Sequence, residues 1–125
     1  METQDRVRMP PLDENKEQGE IKIAEEVLTL IAWMAARDVP GVYDAHEDDR
    51  RDFVGRLTRG GTSRGVTIHL EDGTAFFEVA MVGVYGYDLV SVARYVQQAI
   101  KEAVESMTSI HVERVDITVV DVRPS

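Results

Sequence analysis

Cysteine is absent from this chain of 125 residues, which excludes disulfides, thiolate metal sites and a cysteine nucleophile. Histidine is scarce: the three residues His46, His69 and His111 lie far apart. None has a second histidine three or four residues away, the spacing that places two metal ligands on one face of a helix. We therefore predict no metal site and no cofactor.

Long apolar runs are also missing. The most hydrophobic stretch, residues 27–36, is much shorter than the roughly 20 residues needed to cross a bilayer. Residues 1–20 contain no apolar segment of the kind found in signal peptides. We expect a cytoplasmic protein that reaches the inner face of the membrane only peripherally, through a partner.

Positive charge is scarce and concentrated in one place. The formal net charge is -9, yet residues 50–64 contain five arginines and a single acid. We call this segment the arginine island; its members are Arg50, Arg51, Arg56, Arg59 and Arg64. General nucleic-acid binding usually requires a basic surface across the domain, so the overall charge disfavours it. The island remains open to four interpretations: a docking loop for protein partners, a site for single-stranded nucleic acid, a contact for anionic lipid, or a solvated loop.

The pattern of apolar residues predicts one α+β domain at residues 19–123, preceded by a disordered tail at residues 1–18. Within the domain, residues 43–65 lack periodicity and are interpreted as a flexible loop. The predicted order is β-α-loop-β-β-α-β, with two main helices packed on one face of a small mixed sheet. The strands are expected near residues 20–23, 66–71, 75–84 and 114–119, and the helices at 24–37 and from the N-cap Asp88 to Met107.

The first predicted helix is apolar on two flanks. Its core stripe is predicted to contain Ala24, Val27, Leu28, Ile31 and Ala35. The second flank consists of Leu30, Trp33 and Met34, which we interpret as a self-association or partner surface, with core packing as the alternative.

Two short motifs suggest chemistry but lack the required context. Residues 61–65 match G-x-S-x-G, but a nucleophile elbow needs a preceding strand and a large parallel sheet. Residues 83–86 match the G-x-x-G of a nucleic-acid clamp, but they join a strand to a helix and contain no cation. We predict a strand end and turn there, no catalytic residues, and a protein that is not an enzyme.

Several longer motifs, in order, resemble the alkaline-shock protein family of bacterial envelope stress response proteins. They cover roughly residues 19–122: GEIKIA at 19–24, ARDVPGV at 36–42, the Tyr85-Gly86 pair, VARYVQ at 92–97 and AVESMT at 103–108. The resemblance implies a small cytoplasmic α+β domain without known enzymatic activity. It also implies a tendency to self-associate, and a place at the inner face of the envelope, in some members through a membrane-anchor protein.

The leading hypothesis is therefore a non-enzymatic scaffold or adaptor in envelope stress and cell-wall homeostasis. It would bind copies of itself as a homo-oligomer, and an envelope-associated or membrane-anchor protein, through the second flank of the first helix and the arginine island. The alternative is a module that binds single-stranded nucleic acid through the island.

Overall fold

The computed structural model describes residues 18–44 and 65–125. Their order along the chain is α1 (Glu25–Arg37), β1 (Val66–Glu71), β2 (Thr74–Val84), α2 (Leu89–Met107) and β3 (His111–Arg123). The predicted α+β class is confirmed, and so is the predicted arrangement from the first helix onward. The predicted tail at residues 1–18 and the predicted loop lie almost entirely outside the described residues.

The sheet has β2 at its centre, with the order β1-β2-β3. A two-residue turn joins β1 and β2 as an antiparallel hairpin, and both turn residues have positive φ, 50° at Asp72 and 77° at Gly73. Such backbone angles define the turn that matches the twist of paired strands. Helix α2 then crosses over the sheet and returns the chain to β3, which runs parallel to β2.

One face of this sheet is buried under both helices. Alternation along β2 places Ala75, Phe77, Val79 and Met81 in the core. Helix α2 contributes one buried stripe, consisting of Val92, Val96, Ile100 and Val104. The opposite face of the sheet is not covered by either helix and carries mainly polar side chains on β1 and β3.

Helix α1 confirms its predicted core stripe only in part: Leu28 is buried, and Ile31 and Ala35 pack against the core. Its buried residues are Leu28, Thr29, Ala32 and Ala36. Val27, predicted to be in the core stripe, is 40% exposed, and Ala24 is exposed as well. The apolar residues nearly surround this helix, so their spacing did not fix which side faces the core; packing against α2 and β1 does.

Residues 20–23 form no strand in the structure, contrary to the prediction of a short edge strand. Ile21 is 81% exposed, which shows that this stretch does not contribute an apolar face to the sheet. Instead, residues 41–43 pair with the end of β2. Tyr43 N donates to Val82 O at 2.8 Å, and Val84 N donates to Gly41 O at 2.8 Å.

The segment 41–43 and strand β1 lie along the same edge of β2. On this edge, Tyr43 bonds to Val82. Two residues earlier in β2, Ala80 N donates a hydrogen bond to Gly65 O at 2.9 Å. The two ends of the predicted loop, residues 43 and 65, are therefore neighbours on the edge of one strand.

Candidate protein-interaction surfaces

The five arginines of the arginine island lie outside the described residues. The last described residue before the island is Asp44, whose carboxylate accepts a hydrogen bond from Arg37 Nε at 3.1 Å. The role of the island as a docking loop stays a prediction.

The structure separates the three residues of the predicted self-association surface. Trp33 is half-buried and packs against the core, and the guanidinium of Arg37 lies 5.2 Å from its ring centroid. Leu30 is half-buried and Met34 is 42% exposed, and both lie on the side of α1 turned away from Leu28 and Ala32. Trp33 is therefore a packing residue of the fold as well as a member of the predicted flank.

Two other apolar residues share the outward side of α1 with Leu30 and Met34. Val27 is 40% exposed and Ile23, just before the helix, is 38% exposed. We call these four residues the outer stripe: Ile23, Val27, Leu30 and Met34. Their separations are four, three and four residues, the spacing by which helices pack along a shared seam.

A second apolar surface is an open groove between the end of α1 and the beginning of α2, with a volume of about 720 Å³. The end of α1 with the turn after it, and the first half of α2 with the turn before it, supply its apolar lining, which consists of Ala35, Val39, Pro40, Tyr87, Val92, Tyr95 and Ala99. Three carboxylates belong to the same lining: Asp38, Asp88 and Glu102. We call this feature the tyrosine groove.

Tight packing of one turn against α2 builds this groove. Val42 N donates to Val39 O at 3.1 Å, and the turn between them contains Pro40 and Gly41. Gly41 has a φ of 98°, and a Cβ placed there would lie 2.6 Å from Val92 Cγ2 and 2.8 Å from Tyr87 Cδ2. Glycine thus satisfies both the backbone angle of the turn and the close approach of Tyr87.

The carboxylates of the groove differ in how they are held. Asp88 caps α2 and accepts hydrogen bonds from Ser91 Oγ at 3.0 Å and Ser91 N at 3.4 Å. These bonds from Ser91, the side-chain bond first, keep the pKa of the Asp88 carboxyl below its usual value, so the group stays ionised at neutral pH. Glu102 accepts a hydrogen bond from Gln98 Nε2 at 3.0 Å.

Asp38 lies at the C-terminal end of α1, where the helix dipole disfavours a negative charge. Within the part of the chain that the structure describes, no hydrogen bond or ion pair engages its carboxylate. Asp38 is therefore a carboxylate at an unfavourable position beside an apolar groove.

The remaining polar clusters have structural roles. At the junction of α2 and β3, Glu105 accepts hydrogen bonds from Val112 N at 2.8 Å and from Lys101 Nζ at 3.1 Å. His111 Nδ1 lies 3.1 Å from the same carboxylate. The backbone bond from Val112 is the main cause that lowers the pKa of Glu105. Residues 18–44 and 65–125 contain no group of three or more side chains that could hold a metal ion.

The structure describes all of the G-x-x-G motif but only one residue of the G-x-S-x-G motif. Residues 83–86 form the end of β2 and a turn, as predicted. Of residues 61–65, only Gly65 is described, and it bonds to the edge of β2. The residues of the tyrosine groove come together only in the fold, and the sequence did not predict this surface. The nearest sequence signal was the cluster of Tyr85, Tyr87 and Tyr95 around the Asp88 cap.

Taken together, the fold and these surfaces define a small two-layer α+β domain with two exposed apolar features. Among the described helices, none is both long and apolar enough to cross a membrane. Residues 13–124 match the model of the alkaline-shock (ASP23) family, which is described as having a cell envelope-related function, and the chain belongs to this family. The resemblance inferred from the motifs is confirmed.

Two curated relatives are similar over most of their length. The chain is 30% identical to the uncharacterized protein YqhY of Bacillus subtilis over 105 residues, which cover 84% of this chain and 78% of that protein. It is 29% identical to the uncharacterized protein Spy1535 of Streptococcus pyogenes over 102 residues, with coverage of 81% and 77%.

Solved structures of MamM CTD variants are also similar. One has 13% sequence identity and a TM-score of 0.47, covering 78% of this chain and 94% of that chain. A zinc form has 15% identity and a TM-score of 0.45, covering 78% and 85%.

Proposed function

We propose that this protein is a non-enzymatic scaffold or adaptor at the cytoplasmic side of the cell envelope, acting through self-association and protein partners. Membership of a family with an envelope-related function supports the location. The outer stripe is the observation that carries the proposal. Four apolar side chains follow one another along the outward side of α1, and water-exposed apolar rows of this kind are uncommon unless a partner covers them.

The occupant that we assign to the outer stripe is the α1 helix of a second copy. In an antiparallel pair related by a two-fold axis, Val27 would face Leu30 of the second copy and Ile23 would face its Met34. The separations of four, three and four residues within the stripe are the same from either end of the helix. The stripe therefore suits a symmetric contact of this kind.

The size of the stripe sets the expected strength of this contact. Helix α1 has 13 residues and is therefore about 20 Å long. One helix face of that length buries less than the roughly 800 Å² per partner found in stable dimers. We therefore expect weak, concentration-dependent association, which other contacts would reinforce in an assembly.

Sedimentation velocity over a concentration series tests this proposal. The variant Val27→Gln, Met34→Gln removes apolar character from the stripe, and both positions are about 40% exposed, so the fold is expected to persist. The matched control Val90→Gln, Met107→Gln changes the same residue types at exposed positions of α2. We expect the sedimentation coefficient to rise with concentration for the wild type and the control, and to stay at the monomer value for the stripe variant.

Circular dichroism and thermal unfolding of both variants show whether either one is unfolded. If the stripe variant is folded and associates like the wild type, the outer stripe is not the self-association surface. Fractionation of cells that express the tagged proteins tests the envelope part separately: recovery of the wild type only in the soluble fraction would contradict the proposed location.

A further inference from the structure

We propose that the tyrosine groove binds a basic peptide segment of a partner protein. Apolar side chains of the segment would pack against the tyrosine rings, and its arginine or lysine side chains would lie over the rings and beside the carboxylates. This inference rests on the proposed adaptor function and specifies the chemistry of one partner. It concerns a surface that shares no residue with the outer stripe.

Charge is the first argument. The described lining includes Asp38, Asp88 and Glu102 and contains no lysine or arginine. Asp88 remains ionised because Ser91 stabilises its charged form. A positively charged segment would therefore encounter a negative surface, which accelerates association and selects against acidic partners.

The position of Asp38 is the second argument. Its negative charge lies at the end of α1 where the helix dipole is unfavourable, and no cation among the described residues forms an ion pair with it, since the neighbouring Arg37 pairs with Asp44. A bound arginine or lysine would supply that cation. The local arrangement is thus more favourable in a complex with a basic segment than in the free domain.

The two tyrosines are the third argument. Tyr95 is 64% exposed and Tyr87 is 49% exposed, yet both contribute to the same groove. A tyrosine ring gives a large contact area with little loss of side-chain entropy, and its face attracts an arginine or lysine cation. Exposed tyrosines beside carboxylates therefore suit a segment that carries both apolar and cationic groups.

The same features disfavour other occupants. A wholly apolar segment would remove water from the three carboxylates without compensating their charge, which is costly. Nucleic acid would bring its phosphates next to them. A basic segment avoids both penalties.

Fluorescence anisotropy tests the proposal on the full chain with a short labelled peptide made of arginine, phenylalanine and glycine. A second peptide with glutamine in place of each arginine is the ligand control. We expect the arginine peptide to bind, the glutamine peptide to bind much less, and affinity to fall as salt increases from about 0.1 M to about 1 M, because the Debye length shortens from about 10 Å to about 3 Å.

Two variants locate the site. Because exposed ion pairs contribute about 0.2–1 kcal/mol each, removing two carboxylates with Asp38→Asn, Glu102→Gln is expected to weaken binding about two- to thirtyfold. Tyr95→Ala removes an exposed ring and is expected to weaken it to a similar degree. The control Glu71→Gln, Asp72→Asn removes two charges at the hairpin turn of β1 and β2 and should leave affinity unchanged, apart from a small effect of net charge.

Three results would overturn the assignment of the groove to a basic segment of a partner protein. If the groove variant and the hairpin control weaken peptide binding equally, the peptide is attracted by net charge alone and the proposal is wrong. Full affinity for the peptide in Tyr95→Ala would also overturn the proposal. If changing all five island arginines to glutamine tightens peptide binding in the wild-type groove but not in Tyr95→Ala, the chain's own basic segment competes for the groove, and the assignment to a partner protein is wrong. None of these results depends on self-association, because the measurement uses labelled peptide and dilute protein.

Discussion

Gly41 provides the sharpest test of how the groove is built. In Gly41→Ala, the new Cβ would lie 2.6 Å from Val92 Cγ2 and 2.8 Å from Tyr87 Cδ2, both closer than van der Waals contact permits. The backbone φ of 98° also disfavours any residue with a Cβ. Backbone strain of this kind costs about 1–3 kcal/mol, and overpacking of a well-packed site costs about a further 1–3 kcal/mol. We expect a total loss of about 2–6 kcal/mol in the free energy of unfolding.

Gly86 separates the two contributions. Its φ is 102°, almost the same as that of Gly41, but a Cβ there would have no atom within 4 Å. Gly86→Ala should therefore show the backbone cost alone. Urea unfolding followed by circular dichroism gives both values. If the two variants lose the same free energy within about 0.5 kcal/mol, the steric argument for Gly41 is refuted, and with it the view that this glycine positions Tyr87.

Two further predictions concern the junction of α2 with β3 and the inward side of α1. Because Glu105 has a lowered pKa, its stabilising contribution is present above its ordinary value of 4.5 and is lost as the pH falls through its folded value. Between about pH 5 and about pH 3 the wild type should therefore lose more stability than Glu105→Gln, and parallel pH curves from thermal unfolding would contradict this. On α1, Trp33→Ala should cost about 2 kcal/mol because the ring packs against the core, whereas Met34→Ala should cost less than about 1 kcal/mol. Similar unfolding midpoints for these two variants would show that Trp33 does not support the core.

The elements with a single clear period were predictable from the sequence. Helix α2 has one apolar stripe and an Asp88 cap, and both are found in the structure. The hairpin was predictable because Asp72-Gly73 separates two alternating strands, and β3 followed from the handedness of the crossover. In each case the local pattern allowed only one orientation of the apolar face.

The orientation of α1 could not be predicted in this way, because apolar residues occupy most of its circumference. Burial of Leu28 and Ala32 leaves Val27 outside, and Trp33 turns toward the core although it shares a predicted flank with Met34. The tyrosine groove was missed for a related reason. Pro40 and Tyr95 are far apart in sequence, and only the packing of α1 against α2 brings them to one surface.

The two described ends of the predicted loop are bonded close together on one edge of the sheet. Tyr43 and Gly65 bond to Val82 and Ala80, two residues apart on one edge of β2, so the flanking chain follows nearly the same path as an uninterrupted strand. The entropic cost of closing such a loop increases only slowly with its length. The edge of β2 therefore constrains where residues 44–64 begin and end, but places little constraint on their number or charge.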